Sequence, residues 1–531
     1  MFKGKTLIDG LFLALCLIIL FPSRENGNCE LCPIVLLAPY MISYFMLRVL
    51  FSLNYKWTSM ILLVVISAIC MKELYEGYSQ LFMDFGKKKG QEICFGSFPN
   101  SGLYGCFLAI CSSLFIACST KTANQYIKGF LIAISVLSLL LLPITMSRAS
   151  ILSFCSAMLL LALSIKESRE FMQRNRILLI SIFLILGTGA YLIKKPSADG
   201  RMHMNKIGLR IIQKNDLKGV GAGYYAGVYG AEQYEYFSEM VGNKAGELDI
   251  STIPESRRMA ADCPYYAFNE YIKVGVEYGL VAAIILIALV TLSVVISFKS
   301  GDYWCYPLFS LSVFAFFSYP FEIKIFPLML TAFLASVGKT ENNRILNVTF
   351  YGLMVLLSCH QLCKERSIFD KIDKHSYQDN TDIFISQPNI FVGSDILTGS
   401  ETIVDQNVLF DYSQIYRMSG DYYRSDSILQ LGTRISSDPM FWNVMGNNSL
   451  AQGKYREAEE RYKHAFYTVP NRLYPLYLLA KLYHTEGDTA RFLKMAERVE
   501  TFIPKVESVN TERLRSEIRE IRAGYLPQIE Q

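Results

Sequence analysis

The chain has 531 residues, is 52% hydrophobic and carries a formal net charge of only +5. That is too apolar for an ordinary soluble protein of this size, and the small, dispersed charge gives no case for nucleic-acid binding. Long apolar runs fill the chain to about residue 365 and the remainder is polar, so a polytopic membrane domain followed by a soluble domain is expected.

The N-terminal stretch MFKGKTLIDGLFLALCLIILFP has a basic start and an apolar core without a small-residue cleavage site, and reads as an uncleaved first helix. Further apolar runs lie near 33–50, 58–76, 101–118, 129–146, 149–165, 177–193, 275–298, 303–318, 323–338 and 345–362. They predict an all-α protein with about eleven to twelve spanning helices. With Lys3 and Lys5 inside, Arg48, Lys56, Lys121, Lys128, Lys166, Arg169, Arg174, Arg176, Lys299, Lys339 and Arg344 all fall on the cytoplasmic side, as short-loop charge bias requires. The polar segment 194–268 then lies on the outer, periplasmic side, and so does the C-terminal domain if the eleventh helix crosses.

Most of the thirteen cysteines, including Cys16, Cys70, Cys106, Cys111, Cys118 and Cys155, sit inside apolar runs and act as small hydrophobes. Cys29 and Cys32, like Cys359 and Cys363, are spaced for a local disulfide if their side is oxidising. No zinc-type spacing occurs among them.

The stretch LLPITMSRASILSF, 141–154, interrupts an apolar run with Arg148. The two flanking runs are too long for one crossing, so they form a hairpin with Arg148 near the outer interface. A charge there snorkels, pairs or lines a cavity.

The outer loop contains SADGRMHMNKIGLRIIQKNDLKGVGAGYYAGVYGAEQYEYF, 197–237, with Arg201, His203, Lys206 and Arg210 before a Gly219–Gly221–Gly223 turn. Guanidinium forks suit phosphate oxygens, and glycines admit close backbone approach; most such turns are nonetheless only turns. FNEYIKVGVEYGLVAA follows, with Asn269, Lys273 and Glu277 at i, i+4 and i+8 on one helical face. Their alternative role is local helix support.

The tail carries helical-repeat spacing of about 34 residues. From Pro439, Trp442, Gly446, Gly453, Tyr455, Ala458, Tyr462, Ala465 and Pro470 fit a tetratricopeptide-type unit, and Ala480, Tyr483, Gly487 and Pro504 continue it. A weaker unit holds Tyr412, Tyr416 and Gly420. Such units stack as an α-solenoid, serving either as a protein- or peptide-binding surface or as a cap that positions the outer loop. The expected division is a membrane domain at 1–365 with its loop 194–268, a linker at 366–404 and repeats at 405–531.

Four stretches, GSFPNSGLYGCFLA, TMSRAS, DGR with GVGAGYY, and FNEYIKVGVEYGLVAA, occur in an order that resembles the bacterial O-antigen ligase/polymerase superfamily of membrane glycosyltransferases. The resemblance covers roughly 5–340. It implies a glycan donor on undecaprenyl pyrophosphate, attack by an acceptor hydroxyl of a lipid, glycan or protein, and no metal or nucleotide sugar. It assigns Arg148 and Arg201 to the pyrophosphate, with Arg210, Lys273, Gly221 and Gly223 as further substrate-binding candidates. The family's histidine before the motif asparagine is here Phe268, which cannot accept a proton. Glu277 and Glu270 are then the nearest candidate bases beside Asn269, with Asp262 and His203 as alternatives. A lipid-linked glycan transporter would instead show internal repeats and charges at mid-membrane. A non-catalytic envelope scaffold recruiting partners through the tail is the third reading.

Overall fold

In the computed structural model, residues 4–20, 32–83, 95–177, 181, 195–215, 218–242, 252–338, 348–356, 358, 359 and 406–525 are described. They form helices and connecting turns, without a strand among them. The predicted span 177–193, the linker 366–404 and the Cys29–Cys32 pairing fall largely or wholly outside these residues. Two compact units emerge: Met1–Pro22 with Glu30–Ile193 and Phe268–Lys374, and Ser23–Cys29 with Lys194–Ala267 and His375–Gln531. The segment expected as a loop of the membrane domain therefore packs with the C-terminal helices.

The first unit contains α1 (Gly4–Leu20), α2 (Cys32–Leu53), α3 (Tyr55–Met83), α4 (Ser101–Ser119), α5 (Gln125–Leu141), α6 (Arg148–Ser164) and α7 (Lys166–Arg174). It continues with α11 (Glu270–Tyr278), α12 (Leu280–Lys299), α13 (Cys305–Phe317) and α14 (Ile325–Ser336). Helices Tyr55–Met83, Ser101–Ser119, Gln125–Thr145 and Leu280–Lys299 are long and apolar enough to cross a membrane. The stretches Thr6–Leu20, Leu37–Leu53, Cys305–Phe317 and Ile325–Ser336 are apolar but shorter. Of the eleven or so crossings expected, the described residues hold four full-length spans, five if the bent α6–α7 pair is one span, and four shorter apolar helices. The basic run after α6 bends away from it by 106° as α7, whose residues are none of them buried.

At the centre lies α4, packed on α5, α6 and α13, and almost all its residues are buried. A helix apolar all round is stable only when wrapped by neighbours, which is how SGLYGCFLAICSSLFIACS is placed. One end of the bundle gathers Asp9, Tyr44, Arg48 and Tyr351: Arg48 Nε lies 2.8 Å from Asp9, and its Nη1 donates to the carbonyls of Ala335 and Val337. Tyr55 bonds Asp302 and Lys121 bonds the Gly301 carbonyl, both beyond the C-terminal ends of α4 and α12. These loops are the ones the lysine and arginine count groups on one side. The loops grouped on the other side meet at the opposite ends of α4 and α13, as described below.

The second unit comprises α8 (Lys195–Lys214), α9 (Tyr225–Val241) and α10 (Glu255–Ala260) with α15 (Gln406–Met418), α16 (Tyr422–Ile435), α17 (Met440–Ala451), α18 (Tyr455–Thr468), α19 (Tyr474–Glu486), α20 (Thr489–Thr501) and α21 (Val509–Ala523). From α15 onward each helix packs on the next, and α17 also touches α19 as α19 touches α21. Close pairing rests on small residues: a side chain at Gly446 would overlap the Tyr462 ring, while Ala458 and Ala465 are fully buried.

Candidate functional site

Three of the four stretches singled out in the sequence converge in the first unit, together with one that was not. The turn 95–100 is pinned by α3: Ser97 donates its N–H and hydroxyl to Glu73 at 3.0 and 2.9 Å. Gln80 accepts from the Phe95 and Gly96 N–H groups at 3.1 and 2.9 Å. Asn100 then caps α4, its Oδ1 accepting from Leu103 N at 2.9 Å.

The Arg148 hairpin docks on this start of α4. Met146 adopts φ 54°, the sole positive φ of a non-glycine residue among those described, and Ser147 caps α6 through Ser150 N. Arg148 is thus the first residue of α6 and is half-buried. Ser150 Oγ donates to the Gly102 carbonyl at 3.1 Å. A Cβ at Gly105 would stand 2.7 Å from Ser150 Oγ and 2.8 Å from Thr145 Oγ1, so glycine is what lets α4 and the hairpin approach. Gly105→Ala is expected to destabilise the unit by about 1–3 kcal/mol through overpacking, measurable as a lowered unfolding midpoint in detergent; an unchanged midpoint would contradict the close approach.

From Asn100 the contacts continue to the segment the sequence reading overlooked, SYPFEIK at 318–324. Asn100 Nδ2 donates to Tyr319 Oη at 3.0 Å, and the Phe268 ring meets Tyr319 edge-on at 5.1 Å. Phe321 N donates to Glu270 Oε1 at 2.6 Å, and Lys273 is ion-paired with Glu322. Glu277 lies 3.9 Å from the same ammonium. Three carboxyl groups therefore surround one lysine. Glu270 is buried, and burial, partly offset by Lys273 and reinforced by Glu322, pushes its pKa up to about 8. Burial alone would lower Lys273, but Glu277, Glu322 and Glu270 hold it well above its usual value. Burial is the main reason Glu270 holds its proton, and the nearby Glu322 carboxylate adds to it.

Asn269, predicted as a catalytic neighbour, caps α11, its Oδ1 accepting from Tyr271 and Ile272 N–H; its amide sets the helix that carries Glu270. Lys273, predicted to bind substrate, is ion-paired with Glu322 and lies 3.9 Å from Glu277. The signal for Glu322 was faint: one acid beside Pro320 between two apolar runs.

In the second unit Arg201 is half-buried in the first half of α8, two residues before His203. Arg210, predicted to bind phosphate, pairs with Glu232 at 2.6 Å and Glu239 at 2.9 Å. With Lys214 on Glu232 at 2.8 Å it zips α8 to α9, so its fork is already filled by carboxylates. Gly221 and Gly223 have φ of 105° and 79°, a conformation L side chains rarely adopt, and shape the turn into α9. Of the alternative bases, His203 is buried and held at about 4 by that burial, bonded to Gln233 at 3.0 Å. Asp262 is salt-bridged to Lys505 at 2.8 Å.

No curated protein matches the chain significantly. Residues 133–287 match the family model described as O-antigen ligase. That range runs from the Arg148 hairpin through Arg201 to Glu270, Lys273 and Glu277; the match supports a likeness to the O-antigen ligase superfamily and a glycan-transferring, ligase-like role for this multi-pass helical membrane chain.

Proposed function

We propose that this chain moves a glycan from an undecaprenyl-pyrophosphate donor to an acceptor hydroxyl at the periplasmic face of a bacterial inner membrane, as a glycosyltransferase working without metal. The observation that carries this reading is the contact chain joining the Arg148 hairpin, Asn100, Tyr319 and the Glu270–Lys273–Glu277–Glu322 cluster. A cation for a leaving diphosphate and a carboxylate for an acceptor proton then belong to one end of one bundle. With 13 and 12 residues, α13 and α14 rise only about 20 and 18 Å. That is short of the ~30 Å hydrocarbon layer, so the 318–324 connection is read as recessed, where irregular backbone lines a cavity.

In the proposed reaction the acceptor oxygen attacks the anomeric carbon while the carbon–oxygen bond to the diphosphate breaks. The leaving group keeps that electron pair, its growing charge stabilised by Arg148; Arg201 is assigned the same chemistry by resemblance. The hydroxyl proton passes to Glu270, whose pKa near 8 suits a base at neutral pH. Asn269 positions it and Lys273, Glu277 and Glu322 tune it. Gly221 and Gly223 shape the second unit's loop, and Arg210 braces it through Glu232 and Glu239. The tail helices α15–α21 are read as tetratricopeptide-type repeats, on the burial of Ala458, Tyr462 and Ala465. Phe268 favours a second reading, a non-catalytic scaffold.

The test is donor turnover in lipid nanodiscs with lipid A-core, free glycan and protein acceptors, reading released undecaprenyl pyrophosphate. Release with an acceptor supports transfer; donor binding without release supports the scaffold. Turnover is expected to rise about tenfold per pH unit below 8 and to level above it. Glu270→Gln should abolish both that rise and most of the activity, whereas a flat profile from pH 6 to 9 would remove Glu270 from the base role. Because the folded pKa exceeds the ordinary 4.5, the folded state holds the extra proton. Glu270 therefore favours folding most below pH 4.5, and this contribution is lost as pH rises through 8.

A further inference from the structure

The tail's repeats leave open whether they recruit a partner or serve the chain itself. We propose that α16–α18 are a built-in positioning platform for the Arg201-bearing segment, an inference that rests on the function proposed above. Helix α9 packs on α16 and α18, and α8 packs on α9. Any side chain at Gly227 would overlap the Arg434 carbonyl, and one at Gly230 would stand 2.9 Å from Ser437 Cα. These two glycines, three apart, make a bare stripe on α9 that receives backbone from the end of α16.

Gln233 is fully buried and uses its whole hydrogen-bonding capacity. Its Nε2 donates to the Thr468 carbonyl and, at 2.9 Å, to the Asp262 carbonyl. Its Oε1 accepts from Tyr229 at 2.8 Å and meets His203 Nε2 at 3.0 Å. One amide thereby ties α8, α9, the segment after α10 and the end of α18. Buried polar networks fully satisfied in this way specify a single arrangement.

Nearby, Asn471 Nδ2 bridges the carbonyls of Arg258 and Ala261 at 2.9 and 2.8 Å, and Lys505 reaches Asp262. Tyr234 stacks on His464 at 3.8 Å, which stacks in turn on Trp442 at 3.6 Å. The Trp442 and His464 face that a foreign peptide would need is thus covered by the chain's own α9. Arg201 lies two residues from His203, so fixing His203 through Gln233 fixes the backbone that carries Arg201. Gln233 is a positioning residue.

The experiment uses full-length protein in nanodiscs, with Gln233→Leu, Gly227→Val and the milder Lys505→Ala, and Lys505→Arg as the conservative control. Amide hydrogen exchange across 195–242 is read beside donor KM, acceptor KM and kcat. Gln233→Leu and Gly227→Val should speed exchange at least tenfold and raise donor KM at least tenfold, leaving acceptor KM within twofold. Lys505→Ala should raise donor KM about threefold and Lys505→Arg should restore it. Faster exchange with donor KM and kcat at wild-type values overturns the positioning role while the transferase reading stands. Unchanged exchange overturns the docking itself. Wild-type protein that releases no donor with any acceptor would overturn the transferase reading on which this inference rests.

Discussion

Replacing Arg148 by alanine is expected to lower donor turnover by about two to three orders of magnitude, the usual cost of losing one preorganised donor to developing negative charge. The geometry explains the size of the effect. Arg148 is not on a loose loop: Ser147 caps α6, Ser150 holds the Gly102 carbonyl, and Gly105 admits the hairpin against α4. A cation fixed in advance needs no reorganisation as the diphosphate departs. Arg148→Lys retains charge but loses the planar fork, and should retain about a tenth of wild-type turnover. Single-turnover release of undecaprenyl pyrophosphate measures both. Turnover of the alanine variant within threefold of wild type would remove Arg148 from the reaction and with it the main support for transfer.

The second large effect is on stability. Asp9→Ala should destabilise the first unit by about 3–5 kcal/mol, the cost of leaving one member of a buried ion pair uncompensated. Arg48 is 1% exposed, and Asp9 accepts from its Nε and from the hydroxyls of Tyr44 and Tyr351. Removing the carboxylate strands a guanidinium whose remaining partners are the carbonyls of Ala335 and Val337 and the Tyr44 hydroxyl. The paired change Asp9→Leu with Arg48→Leu should be less damaging than Asp9→Ala alone, since apolar replacement of both charges removes the desolvation cost. Equilibrium unfolding of the three proteins in mixed micelles checks this order. A double variant less stable than Asp9→Ala would show that the pair contributes more than its desolvation costs.

Local chemistry was legible from the sequence. Apolar runs fixed most helices of the first unit, because a chain of such residues must satisfy its backbone internally and bury or greet lipid with its side chains. The tail's helices lie in the stretch where the sequence carries a spacing of about 34 residues, and the lysine and arginine count groups the loops near Asp302 and Arg48. The Arg148 hairpin followed from the length of its flanking runs. Residues whose roles depend on distant partners were not legible. Glu322 is a single acid in a short turn and gains meaning only opposite Lys273, 49 positions earlier. Arg210 has carboxylate partners in Glu232 and Glu239, 22 and 29 positions later, that no local pattern announces. Asn269 caps α11 with its side chain, a local role its spacing from Lys273 and Glu277 did not reveal. Most of all, α9 docks on helices some 200 residues later through two bare glycines and one glutamine. Hydrophobic periodicity reports which face of a helix is buried; only the tertiary structure decides against what, because that choice rests on shape and hydrogen-bond complementarity between segments that the sequence does not bring together.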